Sequence, residues 1–296
     1  MVTISTPSQI PRVRLGRTGL SVSRIGLASN GIPRADVEYA VERGVNYLYW
    51  GTRRLGDFGD AVRHIARRRR DEVTIVVQSY TRIGSLLRPS LERALRRLGI
   101  EYADLLLLGW WNEPPPPRIL DAAAALRVSG KARAIMVSCH NRSTFRTYID
   151  DPNIGAIMVR YNAAHPGAES DVFPLLGEDR AGRPGVVTYT ATRWGALLDP
   201  QLLPRDERRP RPSDCYRFAL SHPDANVTLC GAKNRDQLDE ALSAIERGPM
   251  QAEELAWMKR VGAAVKQRTS VSRSGNLPIF LLDRLTRGRT TSAPRR

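Results

Sequence analysis

Leu15-Gly16-Arg17-Thr18-Gly19-Leu20-Ser21-Val22-Ser23-Arg24-Ile25-Gly26-Leu27 decides how this 296-residue chain is read. Val13–Leu15 and Leu20–Val22 flank a turn with glycine at both ends, which is the pattern of a β-hairpin. The apolar run Ile25–Ser29 that follows begins an alternation of strand-length and helical segments. Further strand-like runs are Asn46–Tyr49, Val73–Tyr80, Ala103–Leu108, Ala132–Ser138, Ala156–Tyr161, Val186–Thr190 and Val227–Cys230. Runs such as Ile-Val-Val and Leu-Leu-Leu-Leu are apolar without alternation, as expected of parallel strands covered on both faces.

Between them, Leu87, Leu91, Leu95 and Leu98, and then Leu120, Ala123 and Leu126, fall on single helical faces, with Gly44, Gly99 and Gly130 as stops. Eight strands alternating with helices predict an α/β chain forming a (β/α)8 TIM barrel, with the N-terminal hairpin plugging the barrel bottom. The expected organisation is an N-terminal tail over 1–12, one barrel domain over 13–270, and a partly disordered C-terminal tail over 271–296. The tail's apolar island Leu277–Leu282 packs once before the chain frays.

No apolar run reaches the roughly 20 residues a bilayer span needs, and Met1–Val13 lacks a signal-peptide core, so a cytoplasmic protein is expected. Cys139, Cys215 and Cys230 are odd in number and scattered, which supports neither disulfides nor zinc. His64, His140, His165 and His222 have no metal-ligand spacing, so no metal is expected. The formal charge of +16 invites nucleic acid, yet only four of the 46 basic residues are lysines. The runs at 63–70 and 91–97 also lie on amphipathic helices, and no nucleic-acid motif is present, so that partner is disfavoured.

In parallel barrels the loops after the strand C-termini build the site. Here they are polar and aromatic: Trp50-Gly51-Thr52, Gln78-Ser79-Tyr80, Trp110-Trp111-Asn112, Ser138-Cys139-His140-Asn141, Tyr161-Asn162 and Thr190–Gly195. That composition suits a pocket for a small molecule.

The opening stretch resembles the hairpin and first strand of the aldo-keto reductases. Gly44-Val45-Asn46-Tyr47-Leu48, Tyr102–Leu106, Gly130–Arg133, Val137-Ser138, Tyr161-Asn162, Ala219–Pro223 and Gly231–Glu240 continue that resemblance in family order over roughly residues 13–265. It implies the barrel, and reduction of carbonyls by NADPH with a tyrosine acid, an aspartate, a lysine and a histidine. Alignment puts Arg54 at the tyrosine, Tyr49 at the aspartate, Ser79 at the lysine and Gly109 at the histidine. This disfavours ordinary carbonyl reduction, because a positioned general acid contributes about 10²–10⁴-fold.

On the cofactor side the resemblance implies NADP(H) held by Lys233 at the 2′-phosphate and by Gln237 and Glu240 at the adenine. It places Tyr189 at the nicotinamide ring, with Ser138 and Thr190 beside it, whereas Cys139, Met158 and Ala241 depart from the family's amide residues. The alternative is that Gln237 and Glu240 are only exposed helix residues.

Among the residues themselves, His140 is a candidate acid or base because imidazole titrates near neutrality. Arg160 faces inward by parity with Met158 and needs an anion, either a substrate group or an internal carboxylate such as Asp104. Tyr49 is a candidate acid if a cation lies near; its other reading, shared with Trp50, is packing. Trp50, Ser79, Trp110, Trp111, Asn162, Arg193 and Trp194 are the expected pocket lining, with packing beneath Pro114–Pro117 as the alternative for the adjacent tryptophans.

Three functions stay open: a barrel enzyme running proton transfer, dehydration, cyclisation or unusual redox on a small organic molecule; an NADP(H)-dependent oxidoreductase with a rearranged acid; and a non-catalytic binding protein.

Overall fold

In a computed structural model, residues 10–51 and 56–271 are described. Arg54, most of the N-terminal tail and the C-terminal tail beyond residue 271 lie outside them. A two-stranded antiparallel ribbon, β1 (Arg12–Arg14) and β2 (Ser21–Ser23), pairs Val13 with Val22. The parallel strands β3 (Ile25–Ala28), β4 (Tyr47–Trp50), β5 (Thr74–Ser79), β6 (Ala103–Leu108), β7 (Ala132–Cys139), β8 (Ile154–Arg160), β9 (Gly185–Tyr189) and β10 (Val227–Cys230) close on one another in chain order as an eight-stranded barrel.

Helices α1 (Arg34–Glu42), α2 (Gly56–Arg69), α3 (Leu87–Leu98), α4 (Pro117–Val128) and α5 (Phe145–Asp150) follow the successive strands β3 to β7. They are joined by α6 (Ala168–Asp171), α7 (Pro212–Ser221), α8 (Arg235–Glu246) and α9 (Ala252–Val271).

Alternation along each strand sorts the apolar residues into two cores. Tyr47, Val76, Leu105, Leu107, Met136 and Val187 fill the barrel, while Leu48, Ile75, Val77, Leu106 and Val137 meet the helices. On α3 the expected stripe Leu87, Leu91, Leu95 and Leu98 is buried, and each such leucine contributes about 2 kcal/mol. The helix then stops at Gly99 in the left-handed conformation, φ 64°.

The hairpin closes the bottom, because Leu15 and Val22 belong to the barrel's inner core. Backbone and side-chain hydrogen bonds pin it there, from Arg17 N to Arg183 O at 2.9 Å and from Ser23 N to Asn46 Oδ1 at 2.7 Å. Ile10 is also buried, in the layer between barrel and helices. Asp104 accepts from Ile75 N and pairs with Arg70 and Arg133 at 2.9 and 3.2 Å, so it is not the partner considered for Arg160.

Candidate functional site at the barrel mouth

The same alternation decides which strand-end residues face the mouth. Tyr49 and Tyr189 pack on the inner core, and Arg160 follows Met158 with inward parity. Trp50, Cys139 and Tyr161 instead lie in the layer between barrel and helices. Ser79 goes with them, sharing a 3.1 Å hydrogen bond between its Oγ and that of Ser90 on α3. The expected placement of Trp50 and Ser79 in the pocket is therefore corrected, because each stands one residue out of phase with its inward neighbour. On β5 that neighbour is Gln78, named with the loop lining but given no role of its own; the register Tyr49↔Val76 carries the inward phase from β4 to Val76 and so to Gln78.

Tyr49 and Gln78 build the floor. The Tyr49 hydroxyl donates to Gln78 Oε1, and the Gln78 amide nitrogen lies where a Cβ on Gly109 would collide with it. A Cβ on Gly51 would strike the Tyr49 hydroxyl, so two glycines make room for this pair. Tyr80 Oη donates to Gly51 O at 2.9 Å and fixes that turn. Burial, with Tyr80 next, pushes the Tyr49 phenol far above the ordinary tyrosine range, so it keeps its proton at neutral pH and is a poor acid.

Above the floor runs an aromatic rim. Tyr80 meets Trp110 edge-on at 5.4 Å, Trp110 lies 6.5 Å from the His140 ring, and His140 lies 6.2 Å from Tyr189. Trp110 adopts φ 58°, which an L side chain tolerates poorly, and its N–H donates to Ser138 Oγ at 2.9 Å. The His140 ring sits at the exposed rim while its backbone N–H donates to Asn112 Oδ1 at 3.1 Å. Partial desolvation and then the Arg160 guanidinium lower the pKa of His140, favouring the neutral imidazole. Burial raises the Tyr189 phenol, with Arg160 pulling the other way. Arg160 is thus close enough to act on both rings.

Other expected pocket residues are used differently. Trp111 is 9% exposed and packs in the layer between barrel and helices, with Arg82 over its ring at 4.1 Å. Asn162 is fully buried, donates to Thr190 O at 2.8 Å and accepts from Ala164 and His165, so it staples two loops and does not line the pocket. Cys139 donates to Asn141 O at 3.0 Å, and burial pushes its thiol up to about 11, so it is no ready nucleophile. Arg193 and Trp194, like Thr190, have positive φ, and Trp194 is 74% exposed.

Across the mouth, Asn234 caps α8 by accepting from Gln237 N at 3.0 Å, and Gln237 Oε1 accepts from Lys233 N at 3.0 Å. Lys233 is exposed beside this helix N-terminus, a favourable place for an anion. Glu240 accepts the Ser213 hydroxyl at 2.7 Å, tying α8 to α7, so the carboxylate expected at the adenine is already engaged within the protein.

Residues 35–214 match the sequence profile of the Aldo/keto reductase family, more than half of the chain. The protein is a member of the aldo/keto reductase family. Among solved structures, the fold is similar to aldo-keto reductase AKR11C1 from Bacillus halodurans in its holo form. That match has a TM-score of 0.73 and 22% identity over 86% of this chain and 96% of that one. An aldo/keto reductase from Klebsiella pneumoniae, in complex with NADP and acetate, matches with a TM-score of 0.70 and 20% identity over 86% and 96%. The thermostable aldo-keto reductase Tm1743, with the inhibitor epalrestat, matches with 0.68 and 22% over 85% and 100%. At these identities the likeness speaks to the (β/α)8 fold. Among the described residues no helix is long and apolar enough to cross a membrane.

Proposed function

We propose that this aldo/keto reductase family member is an enzyme that binds NADP(H) by its adenosine end and performs proton transfer on a small organic molecule, not tyrosine-driven carbonyl reduction. The reading rests chiefly on one observation: His140, Arg160 and Tyr189 come together at three successive strand ends, with the imidazole held neutral. A neutral imidazole at the rim accepts a proton from the substrate, and a guanidinium beside it stabilises the anion that results.

We propose that the family tetrad is replaced, with Gln78 instead of Ser79 at the lysine position. Tyr49, Gln78 and Gly109 then supply hydrogen bonds and space but no acidic proton. Arg54 completes the set by sequence alone.

For the dinucleotide, the fit differs between its two ends. Lys233, with Gln237 and the Asn234-capped start of α8, suits a phosphate and the adenosine portion. At the nicotinamide end Tyr189 offers a ring face and Ser138 a hydroxyl, while Cys139 faces the helices and Met158 replaces a polar contact. Bound there, NADPH would bring a hydride donor to the mouth, which the proposed proton transfer does not consume. This chain's residues would orient the ring at Tyr189 and hold a substrate at Arg160. The three cysteines are free and buried, which suits the cytoplasm expected for this protein.

NADPH titration followed by nucleotide fluorescence, with an aromatic aldehyde added afterwards, tests the reading. Binding without aldehyde-dependent oxidation at pH 7 is expected. Oxidation at rates usual for enzymes, on the order of 1–10³ per second, overturns it, and absence of NADPH binding removes the dinucleotide from it.

A further inference from the structure

Beside the mouth, the start of α4 meets the single helical turn Gly84–Leu86 that leads into α3, and a groove of about 540 Å³ opens between them. Arg82, Ile83, Gly84, Ser85, Arg118 and Ala122 line it. Its two walls touch at the level of the backbone, since a Cβ on Gly84 would stand 2.7 Å from the Arg118 carbonyl oxygen. Glycine is what allows this approach, and the chain itself therefore sets the shape of the groove.

The polar lining is rich in donors and positive charge. Arg82 donates to Gly109 O at 2.9 Å and to Trp110 O at 2.8 Å, which uses two of its five N–H groups. Neutral carbonyls leave the guanidinium charge uncompensated. The side chains of Arg118 and Ser85 are exposed and make no hydrogen bond or ion pair among the described residues. Carboxylates close by in sequence are placed elsewhere: Asp121 lines a separate groove together with Asp151, Glu92 lies 3.4 Å from Arg88, and Glu113 is not part of the lining. Both α3 and α4, of 12 residues each, begin at this groove, so the positive ends of two helix dipoles add to the two guanidinium groups.

Ile83 and Ala122 give the same groove an apolar side. Two guanidinium groups and a hydroxyl next to an apolar wall are matched by an organic molecule that carries a dianion. From this we infer that the groove is a second ligand site, for a phosphorylated small molecule, and that Arg82 passes its occupancy to Trp110. The phosphate lies between Arg82 and Arg118, the Ser85 hydroxyl donates to one of its oxygens, and the organic part rests on Ile83 and Ala122. The guanidinium that meets the phosphate is the one that holds the carbonyls of Gly109 and Trp110 and covers the Trp111 ring at 4.1 Å. Trp110 stands at φ 58°, a conformation kept only where the surroundings impose it, so what fixes Arg82 also fixes Trp110. Neither the dinucleotide nor the proton transfer is needed for this site.

Calorimetric titration with phenyl phosphate and with phenol isolates the contribution of charge, since both carry the same ring. The expected result is one phenyl phosphate per chain, bound at least about tenfold more tightly than phenol. Arg118→Gln should remove most of that preference and Arg118→Lys restore part of it. Lys233→Gln, at the other anion-favouring helix start, should leave it unchanged. In NMR the indole N–H of Trp110, assigned by its loss in Trp110→Phe, should shift when phenyl phosphate is added and stay in place in Arg118→Gln.

Equal affinity for phenyl phosphate and phenol in the wild-type protein, or no binding of either, overturns the inference without need of any variant. So does a preference that survives in folded Arg118→Gln, or one that disappears in Lys233→Gln, which would move the phosphate to α8. Binding that leaves the Trp110 indole unmoved overturns the link through Arg82.

Discussion

At the bottom of the barrel Leu15 and Val22 are fully buried and the hairpin is hydrogen-bonded into place, while at the mouth Trp110 and Trp194 stand exposed on strained backbone. Among the described residues, all four non-glycine positions with positive φ, Trp110, Thr190, Arg193 and Trp194, follow strand C-termini. At the bottom the left-handed conformation falls to glycines, such as Gly16 at φ 48°. Both ends grow from the same strands. One end spends its residues on closure and the other holds side chains where packing alone would not put them, which is where function is expected to reside.

The largest effect should come from breaking the closed end. Leu15→Ala empties a fully buried position in the inner core and should cost about 2–5 kcal/mol, read as a lowered urea midpoint with an unchanged slope. A loss below about 0.5 kcal/mol would mean that the hairpin is a loose cover and that the two ends are less different than argued.

Next in size is the floor of the mouth. Gly109→Ala drives a methyl group into the Gln78 amide, the flexible end of that side chain, and should cost about 0.5–1.5 kcal/mol as the amide swings off the Tyr49 hydroxyl. Shortening Gln78 to alanine in the same chain should return most of that loss, a coupling that a double-mutant cycle measures directly. Additive losses would show that Gln78 and Gly109 do not share space.

This pair also marks where the sequence was legible and where it was not. Strand-length apolar runs and helix-stopping glycines located all eight barrel strands to within two residues at either end, because burial on both faces leaves a continuous apolar signature. That same continuity hides phase. Ile-Val-Val-Gln-Ser reads alike in either register, and nothing local in it tells that Gln78 and not Ser79 faces the mouth.

Trp50 was misplaced for the same reason, whereas Met158, buried in the inner core two residues earlier, gives Arg160 a phase reference. Asn162 and Glu240 were unreadable on other grounds. Their partners, Thr190 and Ser213, lie 28 and 27 residues away, so nothing local shows that these side chains are already engaged.

A smaller change should run in the opposite direction. Trp194→Gly relieves φ 53° at a side chain that is 74% exposed and so has little packing to lose. Stability should rise by up to about 1 kcal/mol, the strain relieved being partly offset by the freedom glycine gains in the unfolded chain. The same substitution at a bottom residue would be destabilising, and thermal melts of Trp194→Gly beside Leu15→Ala put the two ends on one scale. A destabilised Trp194→Gly would mean that the indole packs in solution, and the mouth would then be more closed than its exposure indicates.

The smallest effect is electrostatic and also separates the ends. In the folded chain His140 has its pKa lowered, first by desolvation and then by Arg160, while in the unfolded chain it returns to about 6.5. Between those two values the unfolded state binds more protons, so stability rises with pH through that window and is lost as pH falls below about 6.5. His140→Gln cannot bind the proton in either state and should therefore show a shallower fall in melting temperature between pH 7.5 and pH 5 than the parent. His222 is depressed in the same direction, chiefly by burial, and contributes equally to both proteins, so the difference between the two curves belongs to His140. Parallel curves would place Arg160 too far from the imidazole to act on it, and with that the pairing proposed for proton transfer would fail.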